Sequence, residues 1–280
     1  DGYVLNSVQL AGAFEEIFVD RPTIYVAHNV EHLSARENAD AARSPVESFL
    51  FRREARLLEA IEHRLCERAK FTFTLSEEDR RLLGFSEEQR SAVLPIVAGV
   101  PAAPLDSRRT EYDATLIGTW TWAPNRIGLE WFLDEVVPLL PSSFSIAIGG
   151  SAPAGFAARY PNVRFVGRVP DAVAFMRSGK VVPLISRAGT GVQIKTLETF
   201  EQGLPSIATT HSLRGIAHLP ENCVVADDPQ VFAAALQAAA AGQPKDVDGR
   251  TFHRSQRQAL DAAIRRGLER FGLPGERRAA

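Results

Sequence analysis

The sequence has 280 residues, of which 45% are hydrophobic and 24% are charged, a globular composition that excludes a disordered or collagen-like chain. Lys and Arg number 32 against 34 Asp and Glu, so the net charge is −2, which argues against a general nucleic-acid binder. An anionic ligand must therefore be met by local positive groups and not by the overall field.

The two cysteines, Cys66 and Cys223, are too few and too far apart in the sequence for a disulfide framework or a metal cluster. We therefore expect reduced thiols and a cytoplasmic protein. No apolar run approaches the roughly 18 residues of a membrane-spanning helix. Because the chain starts at Asp1 and enters a strand-like run at Tyr3 almost at once, we expect the natural protein to be longer.

The first 97 residues alternate short apolar runs with amphipathic stretches. Strands are predicted at Thr23–Ala27, Phe71–Leu75 and Ala92–Ile96. Ser44-Pro45-Val46-Glu47 has the form of a capped helix start, which predicts a helix from residue 46 to about residue 70. The apolar stripe of this helix comprises Phe49, Leu50, Leu57, Leu58, Ile61 and Leu65. A short helix is predicted after Ser76, ending at Gly84.

Residues 98–112 are Pro-rich and aperiodic, as is typical of a linker. Beyond them, strands are predicted at 114–117, 145–148, 163–166, 181–185, 206–208 and 223–225. Helices are predicted at 126–135, 171–176, 192–202 and 231–241, with a last helix at 255–271. This alternation indicates a parallel, doubly wound sheet. The predicted organisation is a domain at 1–97, a linker at 98–112, a second domain at 113–254 and a C-terminal helix and tail at 255–280. Two Rossmann-like units of this kind bind a ligand in the crevice between them.

The segment from Pro183 to Glu198 carries the clearest chemical signal. A strand ends near residue 185, a loop carries Arg187, Gly189 and Gly191, and a helix begins near Val192. Glycines let the backbone approach a ligand, and free N–H groups at a helix start attract anions. Lys195 and Glu198 share one helix face, so the lysine can meet a diphosphate while the carboxylate accepts hydrogen bonds from a ribose. The alternative is that the glycines only shape a turn and that Lys195 and Glu198 form a surface pair.

Two familiar phosphate motifs do not fit this segment. A Walker loop needs a glycine before Lys195, and a dinucleotide fingerprint needs a third glycine at the same place, but Ile194 stands there. Asp246-Val247-Asp248 has the form of a metal-binding Asp-x-Asp, but it lies in a polar stretch and does not follow a strand. No metal site is therefore predicted.

The segment resembles the donor-binding region of group 1 glycosyltransferases of the family 4 type, which have the GT-B fold. The family's pattern is matched by Gly189, Gly191, Lys195, Glu198, Gly203 and Pro205. Further landmarks follow in the family's order: His28-Asn29-Val30-Glu31, Gly118-Thr119-Trp120, Trp122-Ala123-Pro124-Asn125, Phe165-Val166-Gly167 and Thr209-Thr210 with Gly215. The resemblance covers about residues 20–270. It implies two Rossmann-like domains, of which the first is incomplete, and a C-terminal helix that packs back on the first domain.

The resemblance also implies roles for single residues. His28 contacts the donor sugar or phosphate, and Arg187 and Lys195 stabilise the departing diphosphate. The nucleotide-binding set comprises Gly118, Gly189, Thr190, Gly191, Val192 and Glu198. Thr190 stands where many members carry the first of two acidic residues.

Alternatives remain open for several of these residues. A lone histidine after a strand is otherwise a packed, hydrogen-bonded residue, and the same holds for His32 in the loop. Asn125 is expected to cap the following helix. Trp120 and Trp122 either stack on the base or pack in the core.

The predicted function is the retaining transfer of a sugar from a UDP- or GDP-sugar to a glycan, a lipid-linked acceptor or a small molecule, with no tightly bound cofactor and no metal. Peripheral association with the inner face of the membrane is a further expectation, and no nucleic-acid partner is expected. The alternatives are an inactive nucleotide-sugar-binding remnant and a GT-B-fold sugar-nucleotide epimerase.

Overall fold

The computed structural model describes residues 2–42, 44–86, 90–99, 101 and 108–272. They form two compact units. The first contains the described residues of Asp1–Ile96, Gly189–Val192 and Gln256–Ala280, and the second those of Val97–Ala188 and Gln193–Ser255. Both units carry a parallel sheet with helices, so the predicted α/β fold class is confirmed.

The sheet of the first unit has the strand order β1-β2-β3-β4, with every pair parallel. Its strands are β1 (Tyr3–Asn6), β2 (Thr23–Ala27), β3 (Phe71–Thr74) and β4 (Ser91–Val93). The central strands are almost entirely buried, which explains why they appear in the sequence as continuous apolar or β-branched runs. The helices of this part of the chain are α1 (Val8–Ala13), α2 (Glu15–Phe18), α3 (Glu31–Asp40), α4 (Pro45–Arg68) and α5 (Glu77–Leu82).

The start of α4 is as predicted, because the Ser44 hydroxyl accepts a hydrogen bond from the backbone N–H of Glu47 at 3.1 Å. Its predicted apolar stripe is right for Leu65, which is buried, and for Leu58 and Ile61, which pack against the core of the first unit, but wrong for the other three residues. Phe49, Leu50 and Leu57 are more than half exposed, and the side chains that α4 buries are Ala55, Glu62, Leu65 and Cys66.

Glu62 is buried beside these residues because its carboxylate accepts hydrogen bonds from the backbone N–H groups of Glu31 and His32 at 2.9 and 3.2 Å. Both N–H groups lie at the start of α3, where they have no hydrogen-bond partner within the helix. The sequence did not predict α3, so it gave no reason to expect an inward-facing carboxylate on α4.

The sheet of the second unit has the order β10-β9-β8-β5-β6-β7 and is also parallel. Its strands are β5 (Tyr112–Ile117), β6 (Ile146–Gly149), β7 (Arg164–Gly167), β8 (Gly179–Leu184), β9 (Ser206–Ala208) and β10 (Cys223–Val225). The last two have the predicted bounds, and the others lie within two residues of their predicted bounds. Because the order reverses between β5 and β8, the carboxyl ends of these two strands form the topological switch point where doubly wound sheets bind ligands.

The helices that follow these strands are α6 (Ala123–Trp131), α7 (Phe156–Arg159), α8 (Ala172–Arg177), α9 (Ile194–Glu201), α10 (Pro229–Ala240) and α11 (Gly249–Phe271). The core between sheet and helices includes Leu129, Phe132, Phe232 and Leu236. The last helix begins six residues before the predicted residue 255. Its later residues Ala263, Leu268 and Phe271 pack with Phe71 and Phe73 inside the first unit.

Within the predicted linker, residue 100 and residues 102–107 lie outside the described residues. Ala98 and Gly99, at the start of the predicted linker, form hydrogen bonds within the second unit. The backbone N–H groups of Ala98 and Gly99 donate to the buried Glu201 carboxylate at 3.0 and 2.7 Å. Over the described ranges, no helix is both long and apolar enough to cross a membrane.

Candidate functional site

Two loops leave the second sheet at its switch point. The loop after β5 runs through Gly118 and Trp120 to α6, and the loop after β8 runs through Arg187 to α9. Ser186 is fixed at the start of the second loop, because its N–H donates to the Ser212 hydroxyl at 2.8 Å and its carbonyl accepts from the Thr209 hydroxyl. The sheet therefore brings the predicted residues Gly118, Lys195 and Glu198 to one edge.

Gly189 and Gly191 have φ values of +93° and +75°, which L-residues rarely adopt. Gly191 has a second constraint inside the first unit, since a Cβ there would lie 2.0 Å from Asn29 Oδ1. Thr190 belongs to the same unit, and its hydroxyl is 2.8 Å from that of Ser34. The structure thus places the short segment Gly189–Val192 against the stretch that follows β2.

The start of α9 is open. Its N-cap residue is Gln193, whose side chain makes no capping hydrogen bond. Val192, at the predicted start, lies two residues before the first helical residue. An uncapped helix start carries outward N–H groups and a partial positive charge, both of which favour an anion.

The side chain of Lys195, in the first turn of α9, packs against the loop that follows β5 and the start of α6. Its Nζ is 3.3 Å from Asn125 Oδ1 and 5.2 Å from the centroid of the Trp120 ring. Burial lowers the pKa of Lys195 to about 8, because a desolvated ammonium is less stable than a hydrated one. No ion pair to Lys195 is formed by any residue that the structure describes, so this cation is available to an anionic ligand.

Glu198 is half-buried one turn further along α9. Burial and the neighbouring Glu201 raise the pKa of its carboxyl group. Among the described residues none donates a hydrogen bond to this carboxylate, and Lys195 is engaged with Asn125 instead. The surface-pair alternative is therefore not what the structure shows.

Arg187 is exposed, and its guanidinium lies 4.5 Å from the centroid of the Trp131 ring. It also donates to the backbone carbonyl of Asp227 at 3.3 Å. The Asp227 carboxylate accepts from the N–H and hydroxyl of Thr210, and these bonds, together with Arg187, hold its pKa below the ordinary value. The Arg187 guanidinium therefore forms a cation–π contact with Trp131. Its contact with a diphosphate stays a prediction.

The two candidate tryptophans differ. Trp120 is 1% exposed and donates from Nε1 to the Gly149 carbonyl at 2.8 Å, so the core-packing alternative holds for it. A Cβ on Gly118 would lie 3.1 Å from this ring, which is a packing reason for that glycine. Trp122 is 46% exposed and is the N-cap residue of α6. The prediction that Asn125 caps this helix is therefore wrong, because Pro124 lies in the first turn and starts the helix earlier.

His28 is exposed at the end of β2, and its Nε2 lies 2.6 Å from Asn6 Oδ1. His32 has the structural role that we left open, since its Nδ1 is 2.6 Å from the buried Glu62 carboxylate. The amide of Asn29 donates to Glu31 at 3.2 Å. Of the stretch after β2, His28 is the residue whose ring stays exposed.

The Asp-x-Asp of the sequence is engaged elsewhere. The buried Asp246 carboxylate pairs with the Arg108 guanidinium at 2.7 Å, and Asp248 pairs with Arg250 at 2.7 Å. Over the described parts of the chain, no group of three or more His, Cys, Asp or Glu side chains could hold a metal ion.

Sequence reasoning missed three partners of the site: Asn125 beneath Lys195, and Trp131 and Asp227 around Arg187. The rule that the loops after β5 and β8 meet at the switch point could have paired Asn125 with Lys195. Trp131 and Asp227 are far from Arg187 in sequence, and no spacing pattern links them.

Comparisons with known proteins agree with this geometry. Residues 112–241 match the model of the family described as "Glycosyl transferases group 1". A TarM mutant from S. aureus, in complex with fondaparinux, α-GlcNAc-glycerol and UDP, superposes with a TM-score of 0.63 at 13% identity. That alignment covers 96% of this chain and 55% of TarM. Alr3699/HepE from Anabaena, in complex with UDP-glucose, gives a TM-score of 0.56 at 13% identity, covering 92% of this chain and 78% of HepE.

At these identities the likeness concerns the fold, which is the GT-B fold expected from the sequence. No curated protein sequence matches the chain significantly. The family match contains the whole segment from Arg187 to Glu198. Over residues 112–241, the chain thus resembles the group 1 glycosyltransferases.

Proposed function

We propose that this protein transfers a sugar from a nucleoside-diphosphate sugar to a hydroxyl acceptor. One observation carries the proposal: an uncapped helix start, preceded by two glycines with positive φ, presents Lys195 and Glu198 one turn apart at the switch point of a group 1 glycosyltransferase domain. A nucleoside diphosphate has an anionic and a vicinal-diol end at about this separation.

Each residue has a role in the proposal. The N–H groups at the start of α9 and the Lys195 ammonium bind the diphosphate, with Arg187 as a second cation. The Glu198 carboxylate accepts hydrogen bonds from the ribose hydroxyls, and its lack of a protein partner among the described residues supports this. Gly118, Thr190 and Val192 complete the nucleotide contacts, and His28 contacts the donor sugar.

The reaction that we propose retains the anomeric configuration. The bond between the sugar C1 and the diphosphate oxygen breaks, and a bond from C1 to the acceptor oxygen forms on the same face. The acceptor's proton passes to the departing diphosphate. Fixed positive groups stabilise the charge that develops on the diphosphate, which is the largest catalytic term in many enzymes, so no metal ion is needed in this scheme.

A UDP-sugar is the favoured donor, because the TarM and HepE structures contain UDP and UDP-glucose, and a GDP-sugar is the alternative. The acceptor is a glycan, a lipid-linked sugar or a small molecule. A cytoplasmic location with association at the inner membrane face completes the proposal.

The test is to incubate the protein with UDP-glucose, UDP-GlcNAc and GDP-mannose, each with and without simple sugar acceptors, and to measure nucleotide release and glycoside formation. We expect release with at least one UDP-sugar, unchanged by EDTA, and an α-configured product from an α-configured donor. Nucleotide binding without release or transfer would instead support the inactive remnant, and interconversion of the donor sugar would support the epimerase. Loss of activity with EDTA, restored by Mg²⁺ or Mn²⁺, would overturn the metal-free scheme.

A further inference from the structure

The side chain of Asn125 links the two loops of the site. Its Nδ2 donates to the Thr119 carbonyl at 3.1 Å, and its Oδ1 accepts from Lys195 Nζ at 3.3 Å. Asn125 lies in the first turn of α6, and Lys195 lies in the first turn of α9. One amide therefore joins the chain after β5 to the chain after β8.

Only one orientation of this amide satisfies both neighbours. A rotated amide would place its NH₂ group against the Lys195 ammonium, donor against donor, and its oxygen against the Thr119 carbonyl, acceptor against acceptor. The Thr119 carbonyl thus fixes the oxygen towards the lysine. The Trp120 ring, itself fixed by the Gly149 carbonyl, presents its face to the same ammonium, which is the attractive geometry for a cation.

We propose that Asn125 is a positioning residue, which holds the Lys195 ammonium over the Trp120 ring and keeps it charged for the diphosphate of the donor. This inference rests on the proposed function, since it assigns Lys195 to the diphosphate. It does not make Asn125 a ligand of the substrate; the amide acts through the lysine.

The hydrogen bond from Lys195 to Asn125 matters for the charge of the lysine, because few other groups around it can stabilise an ammonium. The charged residues on the two helices concerned are Arg126 and Glu130 on α6 and Glu198 and Glu201 on α9. Among the described residues none of these charges lies within ion-pair distance of Nζ, and the loop after β5 offers the uncharged Trp120. Burial lowers the pKa of Lys195 to about 8, so the hydrogen bond from the ammonium to Asn125 opposes a loss of charge close to physiological pH.

The test is calorimetric titration of the protein with UDP from pH 6.5 to 9.5, with uridine as the ligand that lacks phosphate. In the unaltered protein, the ratio of UDP affinity to uridine affinity should fall as the pH rises through about 8. Uridine corrects for ionisation of the uracil ring, which both ligands share. Asn125→Ala should move this inflection to lower pH. The quantity to compare is the ratio of UDP affinity at pH 8 to UDP affinity at pH 6.5. If the inflection moves by about one pH unit, this ratio should be about fourfold to fivefold lower in the variant than in the unaltered protein.

Three further variants make the result specific. Asn125→Asp should move the inflection upward, because a carboxylate stabilises the ammonium, although its charge weakens UDP binding at pH 6.5. Lys195→Arg should remove the inflection from this range, since a guanidinium stays protonated. Trp122→Phe, a substitution of an exposed residue on the same loop, should leave the inflection in place.

An unchanged inflection in Asn125→Ala overturns the proposal, because a merely structural asparagine would lower affinity equally at every pH. If the unaltered protein does not bind UDP, the proposed function fails instead. The inference is then decided by the NMR signal of the Lys195 ammonium in the unliganded protein: Asn125→Ala must lower the pH at which this group titrates, and no change would overturn the proposal here too.

Discussion

Lys195 and Glu198 do not form an ion pair with each other, although they lie one turn apart on α9. Burial drives the pKa of each towards its neutral form, downward for the ammonium and upward for the carboxyl group. A desolvated charge that lacks a charged protein partner is unfavourable for the fold alone. Such side chains are characteristic of sites that bind ligands, where the missing partner is the substrate.

Replacing Glu198 with glutamine tests its contact with the ribose. The amide has the same shape but presents one acceptor oxygen in place of two and has no charge, so UDP binding should weaken by about 1–3 kcal/mol, the range for hydrogen bonds to charged groups. The melting temperature should stay the same or rise, because a half-buried charge without an ion pair among the described residues is removed. Calorimetry with UDP and thermal unfolding measure the two effects, and unchanged UDP affinity would exclude Glu198 from the site.

The raised pKa of Glu198 gives the same contact a pH dependence. The carboxylate accepts hydrogen bonds best when ionised, so UDP affinity should fall as the pH drops through its pKa, which burial raises above the ordinary value. In Glu198→Gln this acid-side decrease should disappear.

His28 is predicted to act on the donor sugar and not on the nucleotide. His28→Ala should therefore lower turnover at least tenfold while UDP affinity changes less than twofold, because a group that acts only in the transition state affects kcat more than binding. Asn6→Ala, which removes the 2.6 Å partner of the ring, is the control for ring orientation and should give a smaller loss. Normal turnover in His28→Ala would make the histidine structural.

At the scale of the element, the start of α11 shows two neighbouring aspartates with different surroundings. Asp246 is buried against Arg108, which also donates to the carbonyls of Arg177, Gly179 and Lys180. Asp246→Ala leaves that guanidinium without its counter-charge and should destabilise the protein by about 3–5 kcal/mol.

Asp248 is the matched control for this prediction. It pairs with Arg250 at the surface, so Asp248→Ala should cost far less stability in the same denaturant titration. Equal losses in the two variants would mean that the Arg108 pair contributes little.

The elements that the sequence predicted well are those whose signals are local. β9 and β10 are short apolar runs between turn residues, and α4 and α5 begin at serines that cap their own backbone. The same local logic predicted the helix face shared by Lys195 and Glu198. It failed for α3, which has no side-chain cap of its own.

The failures arise where distant parts of the chain satisfy each other. The N–H groups at the start of α3 are satisfied by Glu62, about thirty residues along the chain, and a hydrophobic pattern cannot reveal a carboxylate that turns inward for this reason. The same cause hid the partners of Arg187. The sequence predicts a local capping role for Asn125, whereas its amide oxygen accepts a hydrogen bond from Lys195, seventy residues away.

At the scale of the whole molecule, the chain spans 55% of the length of TarM, and the proposed activity draws on residues of both units. The first unit contains His28, and the expectation that His28, Lys195 and Glu198 face one cleft stays a prediction. Both units are parallel α/β layers, and α11 supplies apolar residues to the core of the first.

The two cations proposed to meet the diphosphate each lie on a tryptophan, Lys195 on Trp120 and Arg187 on Trp131. The sequence has three tryptophans in all, and the third, Trp122, is exposed. Indole emission responds to a charge near the ring, so the protein carries an optical reporter for each cation. In Trp122→Phe, UDP should change the emission as its phosphate binds to Lys195 on the Trp120 face. With Trp131→Phe added, the remaining signal reports on Lys195 alone, and the comparison separates phosphate binding at the two cations without any attached dye.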